Sequence, residues 1–260
     1  MQAHGLRASR ALGQNFVVDP NTVRRIARLA RVGPADQVLE IGAGLGSLSL
    51  ALAETGASVV AVEVDRYLLD VLRESVEPKG VRVVHADALT VDFADLLGEG
   101  RWVLVANLPY NVATPLVLRV LEEALSVTRL LVMVQREVGE RLAASPGDDA
   151  YGAVSVRVAY FATARVVGRV GPDVFLPRPH VESALVEIVR RDRVAVDPER
   201  VSEAALFELV RTAFAQRRKM LRRSLASWAS EGVFERAGID PTRRPEELSL
   251  EEFAALAGAR

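Results

Sequence analysis

The chain has 260 residues, half of them apolar, and its charged residues nearly cancel to a net charge of −1. This length and apolar content suffice for a buried core in one large domain, or in one large and one small domain. The chain contains no cysteine and only three scattered histidines. This composition excludes disulfides and thiolate metal sites, so we expect no bound metal.

Neither end of the chain nor its interior shows a targeting or membrane pattern. The first residues lack the apolar stretch of a secretory signal peptide. No apolar run reaches the ~18 residues that a membrane-spanning helix needs. We therefore expect a cytoplasmic protein with no membrane partner.

The charges are unevenly distributed along the chain. Residues 1–35 carry six arginines and one acid, Asp19, whereas residues 36–100 carry four basic and twelve acidic residues. A second basic cluster, residues 211–223, holds five arginines and one lysine and no acid. Such clusters are typical of surfaces that bind polyanions, but solvated helix faces have the same composition. Charge alone leaves both interpretations open.

Elements predicted in chain order alternate between helix and strand. A first helix is predicted over 22–32, with Asp19 as its N-cap and Pro20 at the first helical position. The predicted strands are 37–41, 58–62, 81–84, 102–106 and 129–134, and the predicted helices are 47–54, 66–76, 115–125 and 151–161. Two β-branched runs, 164–170 and 184–189, are typical of an antiparallel pair that closes a sheet. The alternation predicts an α/β fold with a parallel sheet covered on both faces.

The last part of the chain has helical periodicity without strands. Its final helix is predicted to begin after Ser249, which is placed as a cap. We therefore predict two domains: an α/β domain over 1–190 and a small helical domain over 191–260.

A glycine cluster follows the first predicted strand of the sheet. Residues 42–46 read G-A-G-L-G, and glycines let a backbone turn tightly and approach a ligand closely. Ligands of such sheets bind beyond the carboxyl ends of the strands. The spacing differs from that of a dinucleotide site, whose sixth position is Ser47 here. A purely structural turn remains the alternative.

Acidic residues follow the next two predicted strands. Glu63 lies 21 residues after Gly42, where an acid accepts hydrogen bonds from the ribose of a nucleoside cofactor. Asp65 is a close rival for this role. Asp87 follows the third strand and can accept a hydrogen bond from an adenine amine. These features leave NAD and S-adenosylmethionine both open as the cofactor.

The motif Asn107–Tyr110, at the end of the fourth strand, favours methyl transfer to an adenine N6 amine. The lone pair of that amine is delocalised into the ring, and two acceptors that grip both N–H bonds free it. The Asn107 side chain and the Leu108 carbonyl can supply these acceptors, while Pro109 rigidifies the turn. Tyr110 offers a flat face for an extruded base. The motif thus favours S-adenosylmethionine over NAD, although a turn with a buried tyrosine has the same sequence.

Four further motifs, in this order, resemble those of one family. They are L-G-Q-N-F-V at 12–17, E-I-G-A-G-L-G at 40–46, F-L-P-R-P-H-V-E-S at 175–183 and F-A-Q-R-R-K-M-L-R at 214–222. Val17 and Ala43 replace the family's usual leucine and proline. With Asn107–Tyr110, the chain resembles the ribosomal RNA adenine dimethyltransferase family, and most closely its bacterial small-subunit members.

The resemblance implies a Rossmann-like class I methyltransferase sheet with S-adenosylmethionine as cofactor. The implied cofactor site consists of Asn15, Val17, Gly42, Gly44, Glu63, Asp87 and Asn107. The implied catalytic residues are Asn107, Leu108, Pro109, Tyr110 and Phe175. Phe175 is expected against the target base and opposite Tyr110, so that the two rings enclose a flipped nucleotide. Its proline-rich context favours a surface position, although a lone phenylalanine more often belongs to the core.

The basic cluster at 211–223 is predicted to be an amphipathic helix, since Phe214 and Leu221 are spaced for one face. Its basic residues are expected to contact RNA phosphates; they are Arg217, Arg218, Lys219 and Arg222. The resemblance implies that a monomer dimethylates two adjacent adenosines in the 3′-terminal hairpin loop of 16S rRNA, within immature 30S particles.

Two other functions share much of this pattern. A large-subunit (23S) rRNA methyltransferase of the macrolide-resistance type has the same α/β domain and asparagine motif, and the segment 217–219 favours the small-subunit enzyme over it. A non-catalytic assembly factor would retain the fold, but Asn107 and Tyr110 argue against this role.

Overall fold

The computed structural model describes Ser9, residues 12–230 and residues 232–260. The strands are β1 Phe16–Val17, β2 Gln37–Ile41, β3 Ser58–Glu63, β4 Arg82–His85, β5 Trp102–Asn107, β6 Val127–Gln135, β7 Ala162–Val170, β8 Phe175–Leu176 and β9 Ser183–Arg190. The α-helices are α1 Pro20–Ala30, α2 Ser47–Ala53, α3 Leu69–Val76, α4 Phe93–Leu97, α5 Ala113–Glu123, α6 Arg136–Ala143, α7 Ala153–Phe161, α8 Glu203–Ala215, α9 Leu221–Ser224, α10 Val233–Ala237 and α11 Leu250–Gly258. Short 3-10 helices occupy Glu77–Lys79, Pro172–Val174 and Pro245–Glu247.

Seven strands form the central sheet, in the order β4-β3-β2-β5-β6-β9-β7. The five strands from β4 to β6 are parallel, and β9 pairs antiparallel with β6. Both β-branched runs lie at one edge of this sheet, as β9 and β7. The structure confirms the predicted α/β fold, and each predicted strand is found within a few residues of its predicted bounds.

The strand order reverses next to β2, because β3 lies on one side of it and β5 on the other. The glycine cluster, Glu63 and Asn107 all lie at the carboxyl ends of these three strands. Parallel strands bring such ends to one edge of a sheet, and the crevice at the switch point accepts ligands. The topology therefore brings three separate sequence motifs together.

Helix α1 begins as predicted. The Asp19 side chain accepts hydrogen bonds from the backbone N–H groups of Asn21 and Thr22, and Pro20 occupies the first helical turn. One face of the helix is buried in the core with residues of β5, β6 and β9; its residues are Val23, Ile26, Ala27 and Ala30. Burial of apolar surface stabilises a fold by about 25 cal/mol per Å². This contribution holds α1 on that face of the sheet.

A short antiparallel pair links two of the motifs. In it, Phe16 of β1 lies opposite Leu176 of β8, and Val17 lies opposite Phe175. These strands are too short to produce a sequence pattern, so sequence analysis did not predict them. Their pairing joins the 12–17 motif to the 175–183 motif.

The chain divides into two compact units. The first comprises the described residues up to Gly139 and residues 165–190, and the second comprises 140–164 and 191–260. One boundary thus falls after Arg190, but 140–164 belongs to the second unit although it precedes 190. Aromatic packing within that unit accounts for this. The Tyr160 and Phe207 rings are 5.2 Å apart, and those of Tyr151 and Phe214 are 6.0 Å apart.

The predicted helix over 211–223 is wrong. Helix α8 ends at Ala215, a turn follows, and α9 begins only at Leu221. The Arg217 guanidinium donates hydrogen bonds to the Glu246 carboxylate and the Asp149 carbonyl. These partners from other segments of the second unit stabilise the turn, and amphipathic spacing did not reveal them.

Helix α11 begins with the predicted Ser249 cap. The Ser249 hydroxyl accepts a hydrogen bond from the Glu252 N–H, and the Glu252 carboxylate accepts one from the Ser249 N–H. This capping box satisfies two terminal N–H groups reciprocally. No helix in the described part of the chain is long and apolar enough to cross a membrane.

Candidate active site

A cavity enclosing roughly 970 Å³, part of it open to solvent, lies at the carboxyl ends of β2, β3, β4 and β5. Nine of the predicted site residues line it: Asn15, Gly42, Gly44, Glu63, Asp87, Asn107, Leu108, Pro109 and Tyr110. These residues come from five separate segments of the chain. The fold therefore brings these nine residues together around one cavity.

The glycine loop is held against β3 by its backbone. The N–H groups of Gly42 and Ala43 both donate to the Val62 carbonyl, at 2.8 and 3.2 Å. Gly44 has φ +57°, and a Cβ there would lie 2.8 Å from the Phe16 ring. Glycine is thus required at this position for both its backbone conformation and its close approach to Phe16.

The Glu63 carboxylate is buried at the end of β3, with 4% of the residue exposed. Its Oε2 accepts a hydrogen bond from the Gly44 N–H at 2.7 Å. Its Oε1 accepts two, from the Val64 and Asp65 N–H groups at 3.0 and 2.9 Å. A carboxylate has about four acceptor positions. Glu63 therefore keeps capacity at Oε2 for one ligand hydroxyl.

Burial raises the pKa of Glu63, although the three backbone hydrogen bonds oppose the rise. Burial also raises the pKa of the neighbouring Glu40 to about 8, while a hydrogen bond from Ser49 opposes this shift and the Glu63 charge adds to it. Glu40 is therefore mainly protonated at neutral pH. A neutral Glu40 adds no charge repulsion to Glu63, whose three backbone hydrogen bonds favour its ionised form.

Asp65, the rival of Glu63, is engaged elsewhere. Its Oδ2 accepts a hydrogen bond from the Gln14 amide at 2.8 Å, and its Oδ1 accepts one from the Tyr67 N–H at 3.0 Å. Asp65 does not line the cavity. Its bond with Gln14 instead anchors the 12–17 motif to the end of β3. Sequence analysis did not identify this role of Gln14.

Asp87 follows β4 at the rim of the cavity and is exposed. Its Oδ1 accepts a hydrogen bond from the Leu89 N–H at 2.8 Å. Val64 and Leu89 are exposed apolar residues, and both line the cavity with Phe16. The combination of an acceptor with apolar walls suits a planar base that carries an amine.

Asn107 is oriented by the 12–17 motif. Its Nδ2 donates a hydrogen bond to the Asn15 carbonyl at 2.9 Å. The Asn15 side chain in turn donates to the Gly13 carbonyl at 3.2 Å. Because its amide nitrogen is held by the backbone, Asn107 presents its Oδ1 as an acceptor. This is the orientation that the predicted role requires.

Tyr110 is held by a residue that sequence analysis did not single out. Its hydroxyl lies 2.9 Å from the Ser183 Oγ, and Ser183 is fully buried at the start of β9. Burial raises the pKa of Tyr110 above its usual value, so the phenol stays protonated at neutral pH. Ser183 thereby positions the ring at the cavity. The signal lay in the 175–183 motif, whose last residue is this serine.

Two predicted site residues do not line the cavity. Val17 is 9% exposed and Phe175 is 3% exposed, and both belong to the hydrophobic core. The expectation of a surface position for Phe175 is wrong, because β8 pairs with β1 and turns the ring into the core. Its stacking on a target base stays a prediction. Phe16, the neighbour of Val17, reaches the cavity instead.

The predicted RNA-binding residues lie in the second unit and differ in exposure. Arg217 forms an ion pair with Glu246, at 2.7 Å. Arg218, Lys219 and Arg222 are exposed, and so is the neighbouring Arg223. Arg217 therefore stabilises the unit through its partners, and the exposed residues form its basic surface.

Comparison with known proteins identifies close relatives. The model of the family described as "Ribosomal RNA adenine dimethylase" matches residues 5–258. "Ribosomal RNA small subunit methyltransferase A" of Acidothermus cellulolyticus is 48% identical over 266 residues, which cover 98% of this chain and 90% of that protein. The protein of the same name from Streptomyces griseus is 47% identical over 264 residues, covering 97% and 89%.

Two solved structures share the fold. A dimethyladenosine transferase from Plasmodium falciparum has a TM-score of 0.78 at 22% identity, covering 93% of this chain and 95% of that one. The 23S rRNA methyltransferase ErmE has a TM-score of 0.72 at 25% identity, covering 94% and 98%. These matches confirm the predicted class I methyltransferase fold.

The raised pKa of Glu63 predicts pH-dependent cofactor binding. In the predicted role of Glu63, the ionised carboxylate accepts the ribose hydroxyl, so we expect affinity for S-adenosylmethionine to be full above this pKa and to fall as the pH drops through it. Because the pKa is raised, the fall begins at a higher pH than for an exposed glutamate, whose pKa is about 4.3. Calorimetric titration from about pH 7 down to about pH 4, the region of an ordinary glutamate, measures it, and Glu40 stays protonated throughout this range.

The matched variant is Glu63→Gln, which keeps the shape of the side chain and removes its titration. We expect weaker binding at neutral pH and a nearly flat profile. If the affinity of this variant fell with pH as steeply as that of the natural chain, a group other than Glu63 would cause the pH dependence.

Proposed function

Since the chain belongs to the ribosomal RNA adenine dimethylase family, we propose that it dimethylates the N6 amines of two adjacent adenosines in the 3′-terminal hairpin loop of 16S rRNA. The reaction is transfer of methyl groups from S-adenosylmethionine to adenines of ribosomal RNA, the activity of that family. The observation that carries the proposal is the geometry of Asn107, whose amide nitrogen is held by Asn15 so that its oxygen remains as an acceptor.

The cavity fits the cofactor. Glu63 has one acceptor position left for a ribose hydroxyl, and Asp87 can accept from the adenine amine between the apolar side chains of Val64 and Leu89. The glycine loop allows close approach of the backbone. When bound, S-adenosylmethionine supplies an electrophilic methyl group on a positively charged sulfur. The acidic lining of Glu63 and Asp87 complements that charge.

Asn107 and Leu108 act on the target amine. The Asn107 Oδ1 accepts a hydrogen bond from one N–H and the Leu108 carbonyl accepts one from the other. Together they draw the nitrogen toward tetrahedral geometry and make its lone pair available. No strong general base is required, because the methylated nitrogen is cationic and loses its proton readily. Preorganised acceptors of this kind need no reorganisation during the reaction.

Tyr110 stacks on the target base. Its hydroxyl is bound by Ser183, so the ring keeps its place at the cavity without a loss of side-chain entropy when RNA binds. Base stacking of this kind contributes about 1–3 kcal/mol. Adenines of a hairpin loop are also extruded at lower cost than paired ones.

The names of the relatives favour RNA of the small ribosomal subunit as the substrate. Those from Acidothermus cellulolyticus and Streptomyces griseus carry the small-subunit name and match nearly the whole chain at 47–48% identity. ErmE, named for 23S rRNA, is 25% identical. We infer that the natural substrate is an immature 30S particle in the cytoplasm. We also propose that the chain acts as a monomer.

The second unit supplies an RNA-binding surface. Arg218, Lys219 and Arg222 are exposed on one turn and the start of α9. We propose that they contact phosphates of the particle, whereas Arg217 holds the turn in shape. Such contacts add affinity without reading sequence.

Methyl transfer from radiolabelled S-adenosylmethionine tests the function, with unmethylated small and large subunits in parallel. We expect label as N6,N6-dimethyladenosine in small-subunit RNA alone. Label in large-subunit RNA alone would move the substrate to 23S rRNA. Absence of label with the cofactor bound would favour a non-catalytic assembly factor.

Asn107→Ala should reduce transfer about 100-fold or more, because it removes an acceptor from the target amine, an effect of the size seen when one preorganised polar group is lost. The same radiolabel assay measures it. Asn21→Ala, an exposed position on α1, is the matched control and should keep full activity. Undiminished transfer by Asn107→Ala would exclude the mechanism.

The double variant Arg218→Ala/Arg222→Ala should bind small subunits more weakly and with a flatter salt dependence. Each lost phosphate contact lowers the slope of log K against log salt by about 0.7–0.9. Filter binding over a salt series measures the slope. Arg193→Ala/Arg200→Ala removes two exposed arginines elsewhere in the second unit and should leave it unchanged. If the two double variants had equal salt slopes, the RNA would not contact Arg218 and Arg222.

A further inference from the structure

Arg25 and Arg31 of the N-terminal arginine cluster do not line the cavity, yet the fold joins them to arginines from distant strands. Five of these residues form what we call the arginine surface: Arg25 on α1, Arg31 at its end, Arg129 on β6, and Arg165 and Arg169 on β7. All five belong to the first unit. They are brought together by the packing of α1 against β5, β6 and β9.

Glu187 of β9 is the carboxylate at the centre of this surface. It forms ion pairs with Arg31 and, at 2.6 Å, with Arg165. The Glu187 side chain is 6% exposed, whereas those of Arg31 and Arg165 are 61% and 67% exposed. One carboxylate neutralises only one of two guanidinium groups, so this trio carries a net positive charge toward solvent.

Hydrogen bonds to backbone carbonyls hold further arginines in place. The Arg25 guanidinium donates to the Arg169 carbonyl at 3.1 Å, and the Arg129 guanidinium donates to the Arg31 carbonyl at 3.3 Å. A Cβ on Gly168 would lie 2.6 Å from the Arg25 guanidinium, so this glycine lets Arg25 lie against β7. These carbonyl partners orient the side chains without neutralising their charge.

The positive charges are close enough to act on one another. Partial burial lowers the pKa of Arg129, and the nearby charge of Arg31 lowers it further, while Glu187 and Asp36 act in the opposite direction. A surface of this kind has a favourable interaction with an anion that approaches from solvent.

Guanidinium groups bind phosphate in a planar, bidentate geometry. Here they project from two strands, from α1 and from its end. The partners of Arg25, Arg31, Arg129 and Arg165 already restrain these side chains, so little of their freedom is lost when a ligand binds. A series of phosphates at regular spacing, as in an RNA backbone, matches several fixed cations better than an isolated anion does.

Arg129 and its partner Arg31 lie away from the cavity. Asn107 is paired with Met133 on β6, and Arg129 precedes Met133 by four residues, or about 13 Å at 3.3 Å per residue. The offset runs toward the amino ends of the parallel strands, whereas the cavity lies at their carboxyl ends. Phosphates bound here therefore belong to a part of the RNA other than the target nucleotide.

We propose that the arginine surface is a second docking site of the methyltransferase unit for the phosphate backbone of ribosomal RNA. The proposal rests on the proposed function, since the RNA that it binds is the substrate particle. The site anchors the particle while the target adenosine enters the cavity. It gives a role to Arg25 and Arg31 of the basic cluster of residues 1–35, neither of which lines the cavity.

The double variant Arg165→Gln/Arg169→Gln tests the proposal. Glutamine keeps a long polar side chain, and Glu187 retains Arg31 as a partner. We expect at least a 10-fold loss of affinity for unmethylated small subunits at low salt, and a salt slope lower by about 1.4–1.8 for two phosphates. Affinity for S-adenosylmethionine should not change.

The control variant is Arg73→Gln/Lys79→Gln. It removes two positive charges near β4, at the opposite edge of the sheet from β7, and should bind particles like the natural chain. Binding is measured with intact particles and with protein-free RNA of the same subunit. A loss of affinity in both supports the proposal.

Two results would overturn it. Affinity and slope equal to those of the natural chain, in a protein that still methylates small-subunit RNA, would reject the arginine surface and leave the proposed function intact. A loss confined to intact particles would identify an acidic ribosomal protein as the ligand. Failure of the natural chain to methylate any ribosomal RNA is a separate result, which rejects the proposed function.

Discussion

The hydrogen bond from the Asn107 amide to the Asn15 carbonyl is the contact on which the cavity depends. It joins the end of β5 to the N-terminal motif, which then covers the glycine loop through Phe16. The bond from Gln14 to Asp65 fixes the same segment to the end of β3. One side of the cavity is therefore built from chain that precedes the sheet. Without these two anchors, Asn107 would lose the partner that orients its acceptor.

Charge is separated across the first unit although the whole chain is nearly neutral. Glu63 is buried at the switch point, where its raised pKa reflects the cost of desolvation, and Glu40 beside it is kept neutral by a pKa of about 8. Arg31 and Arg129 of the arginine surface lie toward the opposite ends of the strands. A cationic cofactor and a polyanionic substrate are thus attracted to different places, and the net charge of −1 hides both attractions.

Much of the fold and most of the cavity could be predicted from sequence, because strands of a parallel sheet and the residues at their ends follow local rules. Glu63, Asp87 and Asn107 each end or follow a strand, so their meeting follows from the topology. Phe175 could not be placed this way. Its exposure depends on the pairing of β8 with β1, a contact between segments about 160 residues apart. The position of the Arg217 side chain likewise depends on its bonds to Glu246 and Asp149.

The sequence by itself determined the alternation of elements, the caps at Asp19 and Ser249, and the chemistry of the motif at 107–110. Each of these depends on neighbours within a few residues. Only the tertiary structure decided that Ser183 holds Tyr110, that Asp65 anchors Gln14, and that arginines of α1, β6 and β7 form one surface. Side chains distant in sequence meet only when core packing sets the register of helices and strands, and no local pattern encodes that register.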